Sequence, residues 1–358
     1  MTEFELISRF TSRLPLDGEG VRLGVGDDAA LLRPPAGEVL VTTVDMVVEG
    51  VHFDDRFTPA DVGWKALAVN LSDLAAMGAR PLWALVSLAL PPGIAPARLD
   101  GLAQGLAACA RPHAVAVVGG NVSRARELSV AVTVIGSVPE KLALTRGGAR
   151  PGDLLLASGS FGGAALGLRP RASAALARRQ RRPEPRVALG RALAGVARAA
   201  IDVSDGLVQD LEHLCDASGV GAVVDVRRVP VDAAVRRAAR GLPDPDQPAL
   251  AGGEDYELLV AVPPEKLPDA GEAARQAGVP LTVIGQFTEG GDVTLLDAAG
   301  QPRALPAGHD HLRPPRGRER PAGAPLTSPP GRLGSGPTRR RPGRAISRQR
   351  GRRGSSQR

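Results

Sequence analysis

The chain has 358 residues, 43% hydrophobic but only 3% aromatic, so it suits about two domains with cores packed by alanine, valine and leucine. Two cysteines, Cys109 and Cys215, lie far apart in no CxxC pattern, which argues against zinc or a disulfide framework and favours a reducing compartment. No apolar run approaches the ~20 residues of a membrane span, and the acidic start "MTEFELISRF" is unlike a secretory signal. We therefore expect a cytoplasmic protein without a membrane segment.

The net charge of +7 is unevenly distributed along the chain. Residues 313–358 hold fourteen arginines, no lysine and one acid, a charge of +13, whereas residues 1–312 carry −6. This Arg-, Pro- and Gly-rich tail has almost nothing to bury and is predicted to be disordered. It could bind nucleic acid or an anionic surface. Alternatively it is an unselected extension, because it has no aromatic residue to stack on bases.

Strands and helices alternate along the first half of the chain. Residues 38–48 predict a strand, and residues 59–79 predict a helix with Pro59 near its start and Gly78 at its end. A strand, a helix and two further strands are predicted next, at residues 81–90, 95–112, 114–121 and 128–138. Residues 145–153 have the glycines, proline and polar residues of a joint between domains.

The second half of the chain repeats this alternation. A strand begins at Leu154, and helices are predicted at residues 185–200 and 207–218. Further strands are predicted at residues 201–206, 256–263 and 281–287. The sequence therefore predicts two α/β domains, residues 1–148 and 149–312, followed by the disordered tail at residues 313–358.

Several aspartates lie in apolar sequence beside glycine, serine or threonine, where carboxylates are unexpected. Two carboxylates about 4 Å apart repel each other by roughly 4 kcal/mol at an effective dielectric of about 20. A turn, a basic partner or a metal ion must offset that repulsion. The positions are Asp27, Asp28, Asp45, Asp73, Asp202 and Asp205.

Two of these acids also allow a purely structural interpretation. Asp73 shares an apolar helical stripe with Val69 and Ala76, so it either reaches water or a base at a helix edge, or it binds a cation. Asp205 could cap the N-terminus of a helix. Taken together, acids with few neighbouring bases predict a cluster around hard cations. All-oxygen ligands favour Mg²⁺, and Mg²⁺ suggests phosphate chemistry.

Candidate phosphate-binding features are individually weak. The backbone amides of "SGSFGG" (158–163) could bind an anion, or the segment could be an ordinary Gly-rich turn. "VVGGN" (117–121) supplies a second glycine pair, and Arg146 could hold a phosphate or be a surface base. The sequence has no GxxxxGK[ST], GxGxxG, HRD or DFG motif, which excludes the standard nucleotide-binding families.

Seven motifs together resemble a known enzyme family. In chain order they are "GVGDDAALL", "GVHF", "WKALAVNLSDLAAMGARP", "VVGGN", "LTRGGARPGD", "IDVSDGL" and "GGEDYEL". The chain resembles the thiamine-monophosphate kinases, which share a superfamily with aminoimidazole ribonucleotide synthetase and selenophosphate synthetase. The similarity covers about residues 2–312 and stops at the tail.

The resemblance implies a reaction and its partners. It implies ATP-dependent phosphorylation of thiamine monophosphate to thiamine diphosphate, with several Mg²⁺ ions and no covalent phosphoenzyme. It also implies a homodimer in which the N-terminal domains pair their sheets in a barrel-like interface. Nucleic acid is not expected as a partner, except through weak binding by the tail.

The resemblance assigns site residues position by position. It implies metal ligands, with Asp27 as a helper, at Asp28, Thr43, the Val44 backbone, Asp45, Asp73, Asn121, Asp202 and Asp205. It implies ATP contacts at Gly120, Asn121, Arg146 and Ser204, and substrate contacts at His52, Glu254 and His309. No dedicated catalytic base is expected, because the acceptor phosphate is already anionic near pH 7.

The sequence departs from the family pattern at three places. Asn121 stands where many relatives have aspartate, although an amide oxygen can also ligate Mg²⁺. His309, in "GHDHL", stands where relatives often have tryptophan or tyrosine, so an imidazole would stack on the thiamine ring. Small residues around Ala103 replace a ring that often packs near adenine.

Three other functions are considered beside this one. The nearest is another ATP-dependent activity of the superfamily, such as a cyclo-ligase; selenophosphate synthesis is disfavoured because no cysteine precedes "GVGDD". A second is a non-catalytic nucleic-acid-binding protein acting through the tail. A third is a calcium-stabilised structural module, which the absence of EF-hand spacing disfavours.

Overall fold

The computed structural model describes residues 2–306, so the tail and His309 lie outside the described residues. Within that range the helices are Glu3–Thr11 (α1), Pro59–Ala76 (α2), Pro96–Ala110 (α3), Gly163–Gly167 (α4), Ala174–Arg181 (α5), Val187–Leu193 (α6), Leu207–Ser218 (α7), Ala233–Ala239 (α8), Gln247–Ala251 (α9) and Leu267–Ala277 (α10). The strands are Val21–Leu23 (β1), Leu31–Leu32 (β2), Val39–Val48 (β3), Arg80–Leu90 (β4), Ala116–Arg124 (β5), Ser129–Val138 (β6), Leu154–Ser158 (β7), Ala199–Asp202 (β8), Gly221–Asp225 (β9), Leu258–Val262 (β10), Leu281–Thr288 (β11), Val293–Leu296 (β12) and Pro302–Arg303 (β13).

The N-terminal half contains a four-stranded mixed sheet in the order β3-β6-β4-β5. Strand β6 pairs antiparallel with β3 and β4, whereas β4 and β5 are parallel. The inward face of this sheet, which includes Val86 and Val132, packs in the same apolar cluster as α2 and α3. The outward face carries a small separate cluster around Trp83 and Val118, against which β1 and β2 pack.

Helix α2 is fixed at its ends and along its length. Thr58 and Asp61 form a reciprocal capping box at its start, which satisfies backbone amides that have no helical partner. On its side, α2 lies so close to α3 that a Cβ on Gly105 would be 1.9 Å from the Ala60 carbonyl oxygen. Only glycine permits this approach, and it fixes the position of the residues that α2 contributes to the site.

The C-terminal half contains a seven-stranded mixed sheet in the order β13-β12-β9-β11-β7-β10-β8. All of its pairings are antiparallel except that of β12 with β9. The predicted domain boundary at residues 148–149 falls between β6 and β7. The largest apolar cluster includes residues from both sides of that boundary, among them Leu71 and Val260. The boundary itself stays a prediction.

The predicted elements agree with the structure in most places and differ in two. The strand predicted at residues 201–206 is β8, which runs from Ala199 to Asp202. The helix predicted at residues 207–218 is α7, and the helix predicted at residues 59–79 is α2. The helix predicted at residues 185–200 was wrong in its second part, because α6 ends at Leu193 and β8 begins at Ala199. Gly195, at φ +81°, turns the chain out of the helix into a buried strand. Among the described residues no helix combines the length and apolarity that crossing a membrane requires.

Candidate active site

Two carboxylates at helix α2 receive hydrogen bonds from neutral hydroxyl groups. The Thr43 hydroxyl on β3 donates to Asp73 Oδ2 at 2.5 Å, and the Ser72 hydroxyl donates to Asp202 Oδ2 at 2.7 Å. One turn earlier, Asn70 Oδ1 accepts a hydrogen bond from the backbone amide of Asp45 at 2.9 Å. Residues 70–73 therefore join the inward face of β3 to the end of β8.

Asp45, Asp73 and Asp202 form what we call the inner acidic cluster. Burial and the neighbouring Asp73 raise the pKa of Asp202 to about 7. Burial also raises the pKa of Asp73, which the Thr43 hydrogen bond and the charge of Arg146 oppose. The charge of Arg146 also lowers the pKa of Asp202. Asp73 and Asp202 thus have neutral hydroxyls as hydrogen-bond donors, and the cluster offers oxygen ligands, the type that Mg²⁺ prefers.

Tyr256 adjoins the inner acidic cluster. It is the only tyrosine of the chain, and burial raises its pKa well above the usual value, with smaller contributions from Glu254 and from all three acids of the cluster. Its backbone amide donates to the Val203 carbonyl at 2.8 Å, and that of Glu254 donates to Ser204 at 2.7 Å. Both Glu254 and Tyr256 have positive φ, 68° and 52°, a conformation that non-glycine residues hold only where the surroundings enforce it.

The segment after β8 forms a second group of acids. Asp210 accepts hydrogen bonds from the amides of Ser204, Asp205 and Gly206, and burial raises its pKa to about 6. Ligand atoms of Asp205, Asp210 and His213 lie within 4.8 Å of one another. Asp205 is not the N-cap of α7: that residue is Gly206, which makes no side-chain cap.

Other residues assigned by the resemblance lie on the outward face of the first sheet. Asn121 is in register with Ser87, Ala131 and Met46 across the four strands, whereas the neighbouring Val122 packs into the inward core. Val44 is 63% exposed on the same outward face. Asp73 is therefore on the opposite side of this sheet from Asn121 and Val44.

The "GDD" loop is exposed. Asp27 and Asp28 lie between β1 and β2, and the Asp27 carboxylate accepts the amide of Asp28 at 2.8 Å. Because β1 and β2 pack on the outward cluster around Trp83, this loop is held beside that face. The roles implied for Asp28, Val44 and Asn121 stay predictions.

The residues assigned to ATP lie on three different segments. Gly120 is in β5, where a Cβ would be 1.8 Å from the Val86 carbonyl oxygen. Arg146 is exposed, and its carbonyl accepts a hydrogen bond from the Ser218 hydroxyl at 2.8 Å. Ser204 follows β8, next to the inner acidic cluster. The structure thus places Arg146 and Ser204 near the cluster.

The residues assigned to the substrate meet at a buried lysine. Lys65 Nζ lies 2.5 Å from Glu254 Oε1 and donates to the His52 carbonyl oxygen at 3.1 Å. Gln180 Nε2 donates to the other Glu254 oxygen at 2.8 Å. His52 Nδ1 accepts the amide of Val48 at 3.1 Å. The third residue assigned to the substrate, His309, lies outside the described residues.

Most backbone amides of the "SGSFGG" segment already donate hydrogen bonds within the protein. Asp255 accepts from the amides of Gly162 at 2.6 Å and Ala164 at 3.1 Å, and Glu257 accepts from Ser160 at 3.4 Å. Internal carboxylates thus occupy the place where an external phosphate was considered. The ordinary-turn alternative describes this segment better.

Sequence reasoning missed several residues of the site. They are Lys65, Asn70, Ser72, Gln180 and Tyr256. Four of them lie inside the quoted motifs "WKALAVNLSDLAAMGARP" and "GGEDYEL", and a polar residue in a buried helix was the available signal for Lys65, Asn70 and Ser72. Gln180 lies in no motif and could not have been found.

Family comparison gives the class of the protein. Two family models match, AIR synthase related protein, N-terminal domain, over residues 26–138, and AIR synthase related protein, C-terminal domain, over residues 150–298. They cover most of the described chain and define it as a two-domain α/β protein of that class.

Individual relatives narrow the class. Thiamine-monophosphate kinase of Escherichia coli (strain K12) is 39% identical over 327 residues, covering 87% of this chain and 99% of the relative. The solved thiamine-monophosphate kinase from Stenotrophomonas maltophilia K279a is 41% identical with a TM-score of 0.75, covering 82% of this chain and 96% of that one. A solved complex of AaThiL with AMPPCP and TMP is 30% identical with a TM-score of 0.70, covering 87% and 97%. The chain belongs to the thiamine-monophosphate kinase family.

Proposed function

We propose that this chain transfers the γ-phosphoryl group of ATP to the phosphate of thiamine monophosphate, giving thiamine diphosphate and ADP. The observation that carries the proposal is the inner acidic cluster, in which Thr43 and Ser72 orient Asp73 and Asp202 beside Arg146. Family membership supports the choice of substrates, and the AaThiL complex with AMPPCP and TMP supports ATP as co-substrate.

The donor set fits Mg²⁺. It consists of carboxylate and hydroxyl oxygens, and burial raises the pKa values of Asp73 and Asp202, as expected of carboxyl groups removed from water. Asp45, Asp73 and Asp202 would hold Mg²⁺, with Asp28, Thr43, Val44, Asn121 and Asp205 as further proposed ligands. When bound, Mg²⁺ neutralises charge on phosphate oxygens and orients them.

The chain's own residues supply the rest of the proposed mechanism. Arg146 binds phosphate oxygens through its planar guanidinium, beside the backbone at Gly120 and Ser204. His52 and Glu254 position the acceptor, with His309 as a further proposed contact. Phosphoryl transfer depends on positioning and charge stabilisation, and the acceptor oxygen is already ionised. The site therefore needs no strong base.

We also propose that the protein is a homodimer. Strand β3 is an edge strand, and its outward side chains are unusually exposed for apolar residues: Leu40 51%, Val44 63% and Met46 52%. An uncovered edge with apolar side chains favours association with a second copy. Val44→Glu should give a monomer by light scattering, and an unchanged mass would contradict this interface.

The function is tested by incubating the purified chain with ATP, Mg²⁺ and thiamine monophosphate. We expect thiamine diphosphate and ADP in equal amounts, and no phosphorylated product with thiamine or thiamine diphosphate as acceptor. ADP formation without thiamine diphosphate would favour another activity of the superfamily. Binding of DNA or RNA without any ATP turnover would favour the nucleic-acid-binding alternative.

A further inference from the structure

Lys65 is a buried cation that is not among the residues assigned above to metal, ATP or substrate. It lies on α2, two turns before Ser72 and Asp73, and its side chain is only 1% exposed. Burial lowers the pKa of Lys65, while the charge of Glu254 acts in the opposite direction. A lysine is rarely buried so completely unless it is paired.

The Lys65 ammonium has two oxygen acceptors and an aromatic ring around it. Glu254 Oε1 is 2.5 Å away and the His52 carbonyl oxygen 3.1 Å away. The Phe57 ring centroid, at 5.5 Å, presents an aromatic face of the kind that attracts cations. One ammonium group therefore holds three segments: the loop containing His52 and Phe57, helix α2, and the "GGEDY" segment.

Glu254 needs such support. Its φ of 68° is unfavourable for a residue with a side chain, and its carboxylate is 24% exposed. Lys65 and Gln180 hold one oxygen each. With both oxygens bound by the protein, the carboxylate has a fixed direction before any ligand arrives, which reduces the ordering required on binding.

We propose that Lys65 is a positioning residue that holds Glu254 and the His52 loop in the arrangement that binds the phosphate acceptor. This inference rests on the proposed function, because that function gives His52 and Glu254 their roles. It predicts that Lys65 governs the affinity for the acceptor and not the affinity for ATP, since Arg146 and the acidic cluster are supported by other contacts.

The test compares Lys65→Met, Lys65→Arg, Glu254→Gln and the double variant Lys65→Met/Glu254→Gln. Arg198→Met is the matched control, because Arg198 pairs with Asp153 in a different part of the protein. Each protein is assayed for kcat, for KM toward thiamine monophosphate and toward ATP, and for melting temperature. Calorimetry measures thiamine monophosphate binding separately from turnover.

We expect Lys65→Met to raise the KM for thiamine monophosphate between about tenfold and 100-fold, with the KM for ATP within about twofold of the parent. Lys65→Arg should recover most of the loss. The double variant should lose less than the sum of the two single variants, because Lys65 acts in part through Glu254 and coupled residues are not additive. Arg198→Met should lower the melting temperature and leave both KM values unchanged.

Equal increases in both KM values, or a melting change like that of the control with an unchanged acceptor KM, would overturn the inference. If Lys65→Met does not fold, the double variant is assayed in its place, because it leaves no buried charge unpaired. The same comparison of the two KM values then applies. A parent that binds thiamine monophosphate without making thiamine diphosphate would overturn the proposed function alone. Calorimetry on the variants would then decide the role of Lys65.

Discussion

Two groups of buried or half-buried carboxylates lie close together in this protein, and they differ in the partners that the protein gives them. In the "GGEDYE" segment each acid has a charged or multiple-amide partner: Glu254 has Lys65, Asp255 has two backbone amides, and Glu257 has Arg186. In the inner acidic cluster, Asp73 and Asp202 receive hydrogen bonds from neutral hydroxyls.

The difference separates acids with charged or multiple-amide partners from the acids that we propose as Mg²⁺ ligands. A hydroxyl orients a carboxylate without cancelling its charge, so the repulsion between Asp73 and Asp202 persists in the protein and adds to burial in raising the pKa of Asp202. A buried ion pair instead satisfies its charge internally, and removing one partner leaves the other uncompensated. Substitutions in the two groups should therefore have opposite consequences for stability and activity.

The largest effect is expected for Asp73→Asn. The substitution keeps the shape and removes one charge from the inner acidic cluster, so turnover should fall at least ~100-fold, because a Mg²⁺ ion held there would supply several kcal/mol of charge stabilisation. Without Mg²⁺ the variant should be as stable as the parent or more stable, by about 1 kcal/mol. Thiamine diphosphate formation and thermal melting measure the two effects.

The same variant should respond weakly to ligand. Mg²⁺ with ATP should raise the melting temperature of the parent clearly and that of Asp73→Asn much less, because ligand stabilisation follows affinity. Asp269→Asn, which removes an exposed carboxylate paired with Lys266, is the control and should behave like the parent. Near-parental turnover with a lower melting temperature would return Asp73 to a structural role.

Arg186→Met should produce the reverse pattern. Arg186 donates to both oxygens of Glu257, from Nε at 2.7 Å and from Nη2 at 2.6 Å, and Glu257 is nearly inaccessible. The variant should lose about 2 kcal/mol of stability, less than a wholly buried pair because Arg186 is partly exposed, while both KM values stay close to those of the parent. Urea unfolding gives the first quantity. Adding Glu257→Gln should restore part of the stability, and a further loss would contradict the pairing.

Asp255 predicts how stability depends on pH. Burial raises its pKa to about 7, whereas an unfolded chain releases this proton near pH 4. The native state therefore binds more protons between about pH 4 and pH 7, and its stability should fall as pH rises through that interval. In Asp255→Asn the decrease in the free energy of unfolding over this interval should be smaller by about 1 kcal/mol or more. The variant should therefore be less stable than the parent at pH 5 and as stable as the parent or more stable at pH 8.

Urea unfolding of the parent and of Asp255→Asn across that pH range measures whether stability falls as pH rises. Asp216→Asn, an exposed acid on α7, should leave the pH profile unchanged. Asp202 also has a raised pKa and should add to the fall of stability with pH. A saturating concentration of Mg²⁺ should remove the part of this pH dependence that comes from Asp202 and leave the part that comes from Asp255. A profile of Asp255→Asn that parallels the parent would show that Asp255 is ionised throughout.

The sequence predicted those parts of the molecule that depend on local patterns. Helix α2 was found because Pro59 and Gly78 mark its ends, and Asp73 and Asp202 were singled out because they interrupt apolar runs. The seven motifs and their order carried the resemblance, and the resemblance indicated the family. The prediction extended helix α6 too far because the alanine-rich residues that follow it have high helix propensity. In the structure Ala199 and Ala200 are buried in strand β8.

The remaining parts of the site depend on contacts between distant segments. Nothing in the local sequence indicates that Lys65 pairs with Glu254, 189 positions later, or that Gln180 reaches the same carboxylate. The phosphate-cradle interpretation of "SGSFGG" failed for the same reason, since Asp255 comes from another segment. The face of the sheet on which Asn121 lies could be predicted only from the strand register. An irregularity in the β4–β5 pairing near Leu85 shifts the alternation of inward and outward residues.

The smallest effect is expected for Asn121→Asp, and it tests whether the outward face of the first sheet belongs to the cation site. If Asn121 is a ligand, an added carboxylate should lower the Mg²⁺ concentration for half-maximal rate by about threefold, because ligand charge tunes affinity for divalent cations. Ser87→Asp is the matched control, since Ser87 is the register partner of Asn121 on the same exposed face. A Mg²⁺ titration of both variants separates a ligand from a general change in surface charge. Equal shifts in the two, or none in either, would remove Asn121 from the proposed Mg²⁺ ligands and favour the other side of the sheet, where Thr43 and Asp73 meet.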